Sequence, residues 1–341
     1  MGGRGSSRAA RCEQSTLSLT THSSMMWAYR PSPSGGEGEL LPLPIETMSR
    51  PLTPGQRFRD AVDRERPLQI AGTINAYSAL LAEQAGFQAI YLSGAGVANA
   101  SFGLPDLAVT TLNDVVEDAR RITGITELPL LVDVDTGWGS PLTIARTVQE
   151  MERAGVAAIH LEDQIDTKRC GHRPGKEVVS TQQMQVRLTS AVEARRGDLV
   201  IMARTDAAAV EGLDAAIGRA NRYIEAGADM IFAEALRTLD EFTAFTSQVD
   251  VPVLANMTEF GKTPHFTVNE LRDAGIRLVL YPLSAFRAMS AAALHVYSTL
   301  RTEGVQTSLL DQMQTREELY ETLNYHELEQ KLSRSTEEGQ P

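Results

Sequence analysis

Short apolar, β-branched segments alternate with amphipathic segments of helical period from residue 57 to about residue 303. The apolar segments predict eight strands, at 68–73, 89–93, 130–135, 157–162, 199–204, 230–234, 251–256 and 278–281. The segments between them predict helices, among them 77–85, 112–123, 143–154, 182–195, 213–226 and 239–248. Continuous apolar strands separated by helices are typical of a parallel sheet that is covered on both faces.

Eight consecutive strand–helix units are the number that closes a TIM-type (β/α)8 barrel. An open doubly wound sheet is the alternative, but no Gly-x-Gly-x-x-Gly sequence follows the first predicted strand. Polar residues at the C-terminal ends of most strands favour the barrel, because a barrel gathers those ends around one mouth. These residues are Thr73, Asn75, Ser93, Asp133, Asp135, Glu162, Arg204, Asp206, Glu234, Asn256, Thr258, Ser284 and Arg287.

The flanking segments differ from the barrel region, which we place at residues 49–303. Residues 1–48 are rich in Arg, Ser, Gly and Pro and lack a periodic apolar pattern, which predicts a disordered leader or a start assigned too far upstream, with Met48 as the working start. An organelle transit peptide is the alternative. Residues 304–341 form a predicted helical tail, with a helix at 315–324 after a longer one at 284–301. The tail is too poor in apolar residues to fold alone, so we expect it to pack on the barrel or on a neighbouring subunit.

Composition limits the kinds of binding partner and the cellular location that we expect for the protein. The 341 residues carry a net charge of −12, which argues against a general nucleic-acid surface. No apolar run approaches the roughly 20 residues of a membrane helix. Cys12 and Cys170 are the only cysteines and make no disulfide framework, which predicts a reducing, cytoplasmic location. The location would be mitochondrial if the leader is a transit peptide.

A cationic cysteine segment, Lys168-Arg169-Cys170-Gly171-His172, follows the fourth predicted strand. Nearby positive charge favours the thiolate and lowers the pKa of a cysteine below its usual value of about 8.5. Such a thiol can exchange a proton with carbon near neutral pH. A basic surface loop with an incidental cysteine is the alternative, since short motifs also occur by chance.

Two carboxylates, Asp133 and Asp135, end the third predicted strand. With a side-chain period of two they are expected on the same side of the sheet, where they would repel each other without a cation between them. Mg²⁺ suits such a pair, because it binds a few carboxylates together with water and substrate oxygens. Glu162, at the end of the next strand, could join directly or through water. In the alternative, one aspartate caps the following helix and the other is solvated.

Cations and neutral donors complement the carboxylates. Arg204 ends the fifth predicted strand and Arg287 follows the eighth, and arginine pairs with carboxylates through two hydrogen bonds. For Arg287, a structural ion pair on a helix surface is an open alternative. The neutral groups are Ser93, Asn256, Thr258 and the backbone amides of Gly94-Ala95-Gly96. The combination predicts a small polycarboxylate as substrate.

The motifs from about residue 57 to residue 332 resemble those of the 2-methylisocitrate lyases, within the isocitrate lyase/phosphoenolpyruvate mutase superfamily. The resembling segments are 91–98, 103–107, 133–137, 162–164, 168–174, 202–206, 281–289 and 313–320. The resemblance implies a TIM-type barrel, assembled as a homotetramer that exchanges C-terminal helices between subunits. It implies Mg²⁺-dependent cleavage of (2S,3R)-2-methylisocitrate to pyruvate and succinate in the methylcitrate cycle of propionate catabolism.

The resemblance also implies roles for individual residues. Asp133 and Asp135 match the metal-holding pair, with Asp106 and Glu162 reaching the metal mainly through water. Cys170, Gly171 and His172 match a mobile lid, on which Cys170 donates a proton to carbon and His172 tunes the thiol. The substrate-contacting set that it implies is Ser93, Gly94, Ala95, Arg204, Glu234, Asn256, Thr258, Arg287 and Arg316. Tyr91 is a candidate for handling the substrate hydroxyl proton, and a packed strand aromatic is its alternative.

Other functions remain open at this point. Isocitrate lyases carry a similar cysteine segment, but they are much longer and usually read Lys-Lys-Cys-Gly-His. Phosphonopyruvate-type mutases and oxaloacetate decarboxylases generally lack this cysteine. A catalytically inactive barrel that serves as a scaffold is disfavoured by the full set of Asp133, Asp135, Cys170 and Arg204. Ala233 departs from the family pattern, since many relatives have proline there, but this change removes no proposed catalytic group.

Overall fold

The computed structural model describes residues 27–30, 39–42, 51–168, 171 and 175–338, with side chains from residue 51 to residue 334 within those ranges. The chain divides into two units, residues 1–51 and 52–341. In the first unit, β1 (Trp27–Arg30) and β2 (Glu39–Pro42) form an antiparallel pair in which Trp27 lies opposite Pro42. The predictions for the rest of residues 1–48 lie outside the described residues and stay predictions.

Eight parallel strands close into a barrel in the second unit, which confirms the predicted TIM-type architecture. They are β3 (Leu68–Gly72), β4 (Ala89–Leu92), β5 (Leu130–Asp133), β6 (Ala158–Glu162), β7 (Val200–Thr205), β8 (Met230–Ala233), β9 (Val253–Asn256) and β10 (Leu278–Tyr281). Neighbours in sequence are neighbours in the sheet, and β10 closes the barrel by pairing with β3, with Leu278 opposite Leu68.

Helices surround the barrel and follow its strands. They are α1 (Pro54–Arg64), α2 (Ala76–Gln84), α3 (Gly94–Gly96), α4 (Leu112–Thr123), α5 (Pro141–Arg153), α6 (Thr181–Ala194), α7 (Leu213–Glu225), α8 (Leu239–Thr246), α9 (Val268–Asp273), α10 (Ser284–Glu303), α11 (Arg316–Thr322) and α12 (Tyr325–Glu338). A π-helical turn spans Val97–Ser101, and 3₁₀ turns span Ala207–Ala209 and Thr307–Gln312. Thr111 and Ser180 are among the residues that cap a helix start by accepting a backbone N–H.

The helix α1 was not predicted, because its eleven residues contain few apolar side chains. Those few, Phe58, Ala61 and Val62, share one face and are buried in the cluster that fills the barrel interior. Arg59 also pairs with Asp229, just before β8, with 3.1 Å between Nη2 and Oδ1. The helix therefore closes the N-terminal end of the barrel and leaves the opposite end open. A larger second core lies between the strands and the outer helices.

The strand that carries the acid pair ends earlier than predicted. The strand β5 stops at Asp133, and Asp135 has a φ of 48°, which belongs to a turn and not to a strand. The two aspartates were predicted to share one side because both were assigned to the strand. That assignment was wrong, because Asp135 lies in the turn after the strand. The turn nevertheless brings Asp135 back toward Asp133, as the site geometry shows.

The C-terminal helices carry exposed apolar side chains. Leu294 and Tyr297 of α10 and Leu328 and Leu332 of α12 are each more than half exposed. The helix α11 matches the predicted helix at 315–324, and its capping box of Thr315 and Glu318 is confirmed. The helix α12 lies within the predicted helical tail at 304–341, and α9 lies between the last two predicted strands, although the prediction gave neither helix its own bounds. Among the described residues, we find no helix with the length and apolarity needed to cross a bilayer.

Candidate active site

A cavity of about 80 Å³ opens at the C-terminal ends of the barrel strands. It is lined by Tyr91, Ser93, Ala95, Asp106, Asp133, Glu162, Lys168, Gly171, Arg204, Phe232, Glu234, Asn256, Thr258, Leu280, Pro282, Leu283 and Arg287. Most of the predicted site residues thus meet at one place, although they come from seven different strand ends and loops. Convergence at this end of the barrel is the usual arrangement of active sites in this fold.

Five predicted residues are not part of that lining. Gly94 and Asp135 are two of them, and both lie directly beside Asp133, which does line the cavity. Cys170 and His172 lie outside the described residues.

Arg316 begins α11, is exposed, and is not one of the residues that line the cavity. The tail runs along α2, where Gln314 accepts a 2.6 Å hydrogen bond from the Tyr77 hydroxyl. The prediction that Arg316 contacts substrate stays a prediction.

Asp133 and Asp135 face a common point beside the backbone of Gly94. A Cβ atom built on Gly94 would lie 3.2 Å from Asp133 Oδ2 and 3.3 Å from Asp135 Oδ1. The Gly94 N–H donates a 3.2 Å hydrogen bond to Asp133 Oδ2. Gly94 therefore keeps the space between the two carboxylates open, because any side chain at this position would enter it.

Burial and mutual repulsion drive the pKa values of the two aspartates apart. Burial opposes ionisation of Asp133, but the surrounding positive charges outweigh it and lower its pKa to about 2. For Asp135, burial and then the charge of Asp133 raise the pKa to about 7. Two carboxylates that cannot both ionise easily are the electrostatic signature of a site that attracts a cation.

Lys168 supplies part of that positive charge. Its Nζ lies 2.8 Å from Asp135 Oδ1 and also contacts Asp106 Oδ1. Burial alone would lower the pKa of Lys168, but Asp135 and Asp106 raise it above its usual value. Lys168 was predicted only as a neighbour of the cysteine, and the structure places it in the acidic cluster.

The donor set fits Mg²⁺ better than it fits a metal that needs an all-protein cage. No group of three or more His, Cys, Asp or Glu side chains is arranged to hold a metal in the part of the chain that the structure describes. Mg²⁺ does not need one, since it commonly binds one or two carboxylates and completes its shell with water and substrate. Glu162 Oε1 is buried without a hydrogen-bond partner among the described residues, so it can accept from a metal-bound water.

Tyr91 lies between Asp133 and a buried histidine. Its hydroxyl is 3.4 Å from Asp133 Oδ2 and 2.9 Å from His160 Nε2. Burial raises the pKa of Tyr91 well above its usual value and lowers that of His160 to about 4, so the phenol is protonated and the imidazole neutral at neutral pH. Sequence reasoning missed His160, although its position two residues before Glu162 on β6 signals the same side of the sheet.

Arg204, near the end of β7, borders the cavity two strands away from Asp133 and lies among three carboxylates. Its Nε is 3.0 Å from Asp206 Oδ2 and 3.3 Å from Glu162 Oε2, and its Nη2 is 3.3 Å from Glu234 Oε2. Burial disfavours the charge, but these carboxylates outweigh it and keep the pKa of Arg204 above its usual value. A permanent, buried guanidinium that borders a cavity is a binding group for a substrate carboxylate.

Neutral groups and one exposed cation complete the lining. Asn256 Nδ2 donates a 3.3 Å hydrogen bond to Glu234 Oε2, and Thr258 lies close by along the chain. A Cβ atom on Gly171 would lie only 2.5 Å from Arg204 Nη2, so any side chain there would displace the guanidinium. Arg287 lines the cavity and also pairs with Glu259, with 3.5 Å between Nε and Oε2, so both of its predicted environments apply.

Comparisons with known proteins agree with this geometry. The sequence profile of the phosphoenolpyruvate phosphomutase family matches residues 58–301. The chain is 61% identical to the 2-methylisocitrate lyase of Shewanella oneidensis, over 82% of this chain and 96% of the relative. It is 59% identical to the Escherichia coli 2-methylisocitrate lyase, over 82% and 95% of the two chains, and 44% identical to that of Aeropyrum pernix, over 84% and 93%.

Solved structures share the fold. A 2,3-dimethylmalate lyase, described as a PEP mutase/isocitrate lyase superfamily member, has a TM-score of 0.77 and 33% identity over 84% of this chain and 96% of that one. A phosphonopyruvate hydrolase in complex with oxalate and Mg²⁺ has a TM-score of 0.73 and 28% identity over 83% and 99%.

A closed parallel barrel with carboxylates, cations and amide groups gathered at its strand ends defines a barrel enzyme. The sequence and structure matches define the family of barrel enzymes to which the chain belongs. The chain belongs to the 2-methylisocitrate lyase family, within the phosphoenolpyruvate mutase/isocitrate lyase superfamily, and the family resemblance of its motifs is confirmed.

Proposed function

We propose that the protein is a Mg²⁺-dependent carbon–carbon lyase that cleaves (2S,3R)-2-methylisocitrate to pyruvate and succinate in the methylcitrate cycle of propionate catabolism. The observation that carries the proposal is the set of charges gathered at one cavity. The carboxylates of Asp133 and Asp135 lie together beside Gly94, and the guanidinium of Arg204 borders the same cavity two strands away. The family membership and the 61% identity to a curated 2-methylisocitrate lyase support the same reaction.

The apolar part of the lining supports a methylated substrate. Phe232, Leu280, Pro282 and Leu283 border the cavity together with the charged groups. Isocitrate, which has a hydrogen where methylisocitrate has its methyl group, would cover less of this surface. A substrate methyl group would cover it, and burying one methyl is worth roughly 1 kcal/mol. This margin favours methylisocitrate over isocitrate without excluding slow turnover of isocitrate.

The acid pair and its neighbours prepare the hydroxyl end of the substrate. When held by Asp133 and Asp135, Mg²⁺ supplies Lewis acidity that lowers the pKa of a substrate hydroxyl. Asp106 and Glu162 orient water near the acid pair, and Ser93 with the backbone of Gly94 and Ala95 binds the pyruvate portion. Tyr91 remains the candidate for handling the hydroxyl proton, with its own hydroxyl hydrogen-bonded to His160.

Arg204 and the cysteine segment act on the other fragment. Bond cleavage leaves negative charge on the succinate portion, and the fixed guanidinium of Arg204 stabilises it without reorganisation. Glu234, Asn256 and Thr258 position that portion from β8 and β9. Cys170 then donates a proton to carbon, and His172 tunes the thiol. This role stays a prediction, and it is supported by the position of the adjacent Gly171 against Arg204 and Glu234.

A product assay tests the proposed reaction. We expect methylisocitrate with Mg²⁺ to release pyruvate and succinate in equal amounts, and isocitrate to release glyoxylate at a kcat/KM about fivefold lower, the factor that corresponds to one buried methyl group. Both products would be quantified by chromatography, with and without a chelator. Glyoxylate as the main product, or no carbon–carbon cleavage of either substrate, would contradict the assignment.

We also propose that the protein assembles as a homotetramer through its C-terminal helices, and that Arg316 reaches the cavity of a neighbouring copy. The exposed apolar residues of α10 and α12 support an assembly surface. Arg316 is exposed and does not line the cavity of its own chain, which supports a role in another copy. A cytoplasmic location stays a prediction.

Removal of residues 304–341 tests this assembly. We expect the truncated protein to form smaller species, because α11 and α12 and their exposed apolar side chains are gone. Light scattering coupled to size exclusion would measure the mass of both proteins. A truncated protein with the same mass per particle, corrected for the missing residues, would contradict the assembly role. Arg316→Ala in the full-length chain tests the substrate contact apart from assembly. It should lower kcat/KM without changing the particle mass.

A further inference from the structure

We propose that Lys176 is a positioning residue for the guanidinium of Arg204 and that it acts through the buried carboxylate of Asp206. The proposal rests on the proposed function, in which Arg204 binds the carboxylate-bearing fragment of the substrate. Lys176 does not line the cavity, so its effect on substrate must pass through another residue. Neither sequence reasoning nor the mechanism above gives it a role.

Lys176 forms a buried ion pair. Its side chain is 2% exposed, and its Nζ lies 2.6 Å from Oδ1 of Asp206, which is fully buried. A buried ion pair gains little stability, because the loss of hydration offsets the attraction between the charges. The stability of the fold therefore does not by itself account for a lysine at this position.

Asp206 connects Lys176 to Arg204. Its Oδ2 accepts a 3.0 Å hydrogen bond from Arg204 Nε, and its Oδ1 accepts a longer one, 3.4 Å, from Arg204 Nη2. The ammonium of Lys176 binds the same Oδ1. Because one oxygen is held by Lys176, the plane of the carboxylate is fixed, and the other oxygen faces Nε of the guanidinium.

The backbone of Asp206 is held in place by Asp163. Its N–H donates a 2.9 Å hydrogen bond to Asp163 Oδ1. Asp163 Oδ2 in turn accepts hydrogen bonds from the hydroxyls of Thr205, at 2.8 Å, and Tyr223, at 2.9 Å. The remaining freedom of Asp206 is rotation of its side chain, and Lys176 is placed to limit that rotation.

The backbone around Lys176 is also held in place. Ile165 N–H donates a 3.1 Å hydrogen bond to the carbonyl of Glu177, and Val179 N–H donates one of 2.8 Å to the carbonyl of Asp163. These bonds tie the segment that carries Lys176 to the end of β6. The lysine therefore approaches Asp206 from a fixed position and does not depend on a chance rotamer of a free loop.

Arg204 has competing partners, so its orientation depends on Asp206. Glu162 Oε2 and Glu234 Oε2 each lie 3.3 Å from the guanidinium, on two sides of it. If Asp206 rotates, the strongest contact of Nε weakens and the guanidinium can shift toward either glutamate. A planar fork recognises a carboxylate only in a narrow range of orientations, so such a shift weakens substrate binding.

Four variants test the proposal: Lys176→Met, Lys176→Arg, Asp206→Asn, and the double variant of Lys176→Met with Asp206→Asn. We expect Lys176→Met to lower kcat/KM for methylisocitrate by about 10–100-fold, the size typical of residues that orient a binding group. Lys176→Arg keeps the cation and should restore most of the activity. In the Asp206→Asn background, Lys176→Met should change kcat/KM by less than about threefold, because residues that act through one another are not additive.

The affinity for succinate, measured by calorimetry, gives a second readout that does not need turnover. We expect it to fall in Lys176→Met in parallel with kcat/KM. Arg222→Met is the matched control, because Arg222 pairs with Glu225 on the exposed surface of α7, and it should leave both quantities unchanged. Circular dichroism and thermal unfolding identify the folded fraction of each variant, and Lys176→Gln replaces Lys176→Met if the latter does not fold.

Three results would overturn the proposal: kcat/KM and succinate affinity unchanged in folded Lys176→Met or Lys176→Gln, effects that multiply fully with those of Asp206→Asn, or no recovery in Lys176→Arg. A wild-type protein that releases no pyruvate would reject the proposed function instead. In that case the succinate affinities of the same variants would still decide the role of Lys176.

Discussion

Replacing Cys170 with alanine is expected to abolish turnover while leaving the fold and product binding intact. A proton must reach carbon after the bond breaks, and a positioned acid contributes roughly 10²–10⁴-fold to such a step. Gly171 packs against Arg204 and Glu234 at the cavity, so the neighbouring thiol belongs to a segment that reaches the reacting groups. Arg169 and His172, its neighbours in sequence, are expected to supply positive charge that favours its thiolate. Steady-state release of pyruvate would measure the loss.

Cys12→Ala is the matched control, because it removes the only other thiol of the chain and should leave kcat and KM unchanged. The affinity of Cys170→Ala for succinate, measured by calorimetry, should remain close to that of the wild type. Turnover of Cys170→Ala at the wild-type rate would reject the role of Cys170 as the acid. Loss of succinate binding together with turnover would indicate a structural role for the segment.

Replacing Asp133 and Asp135 together with asparagine is expected to remove both Mg²⁺ binding and activity. The two carboxylates border the same point beside Gly94, so the double variant leaves Asp106 and Glu162 without the pair that holds the metal. Calorimetric titration with Mg²⁺ measures the binding loss directly, and the product assay measures the activity. Asp60→Asn is the control, since Asp60 pairs with Arg64 on the surface of α1. Wild-type activity that persists in a chelator would defeat the metal assignment.

The same pair predicts a pH effect on the metal-free protein. Burial and the charge of Asp133 raise the pKa of Asp135 to about 7, above its unfolded value of about 3.9. The folded state therefore binds the proton more tightly, and stability contributed by this group is present below pH 4 and lost as the pH rises toward 7. In chelator, the single variant Asp135→Asn should unfold at a higher temperature than the wild type above pH 7 and show a smaller decline between pH 4 and 7. Equal pH dependence in the two proteins would contradict the shifted pKa.

The repetition of apolar strands and amphipathic helices was sufficient to predict the barrel. Eight strands were predicted at nearly their observed bounds, because a strand in a parallel sheet is buried on both faces and its sequence is continuously apolar. The helix α1 was not predicted, because few of its residues are buried. It buries only Phe58, Ala61 and Val62 against the end of the barrel, and so small an apolar face leaves little periodic signal.

The site residues that lie at the ends of barrel strands could be predicted from the sequence. Asp133, Glu162, Arg204, Glu234 and Asn256 follow from the rule that a barrel gathers its C-terminal strand ends. Lys176 and His160 were missed. Lys176 reaches the site from a connecting segment with no periodicity, and its role depends on a contact with Asp206 that is 30 residues away in sequence. His160 lies within an apolar strand, where a histidine is usually a packed core residue.

The sequence by itself determined the class of fold, the family and the residue types of the site, because burial periodicity and motif order are local properties of the chain. Only the tertiary structure decided which charges meet. It placed Lys168 among Asp106 and Asp135, put Asp206 between Lys176 and Arg204, and kept Arg316 away from the cavity of its own chain. The strength of an ion pair depends on distance and burial, and these depend on how distant segments pack and not on spacing along the chain.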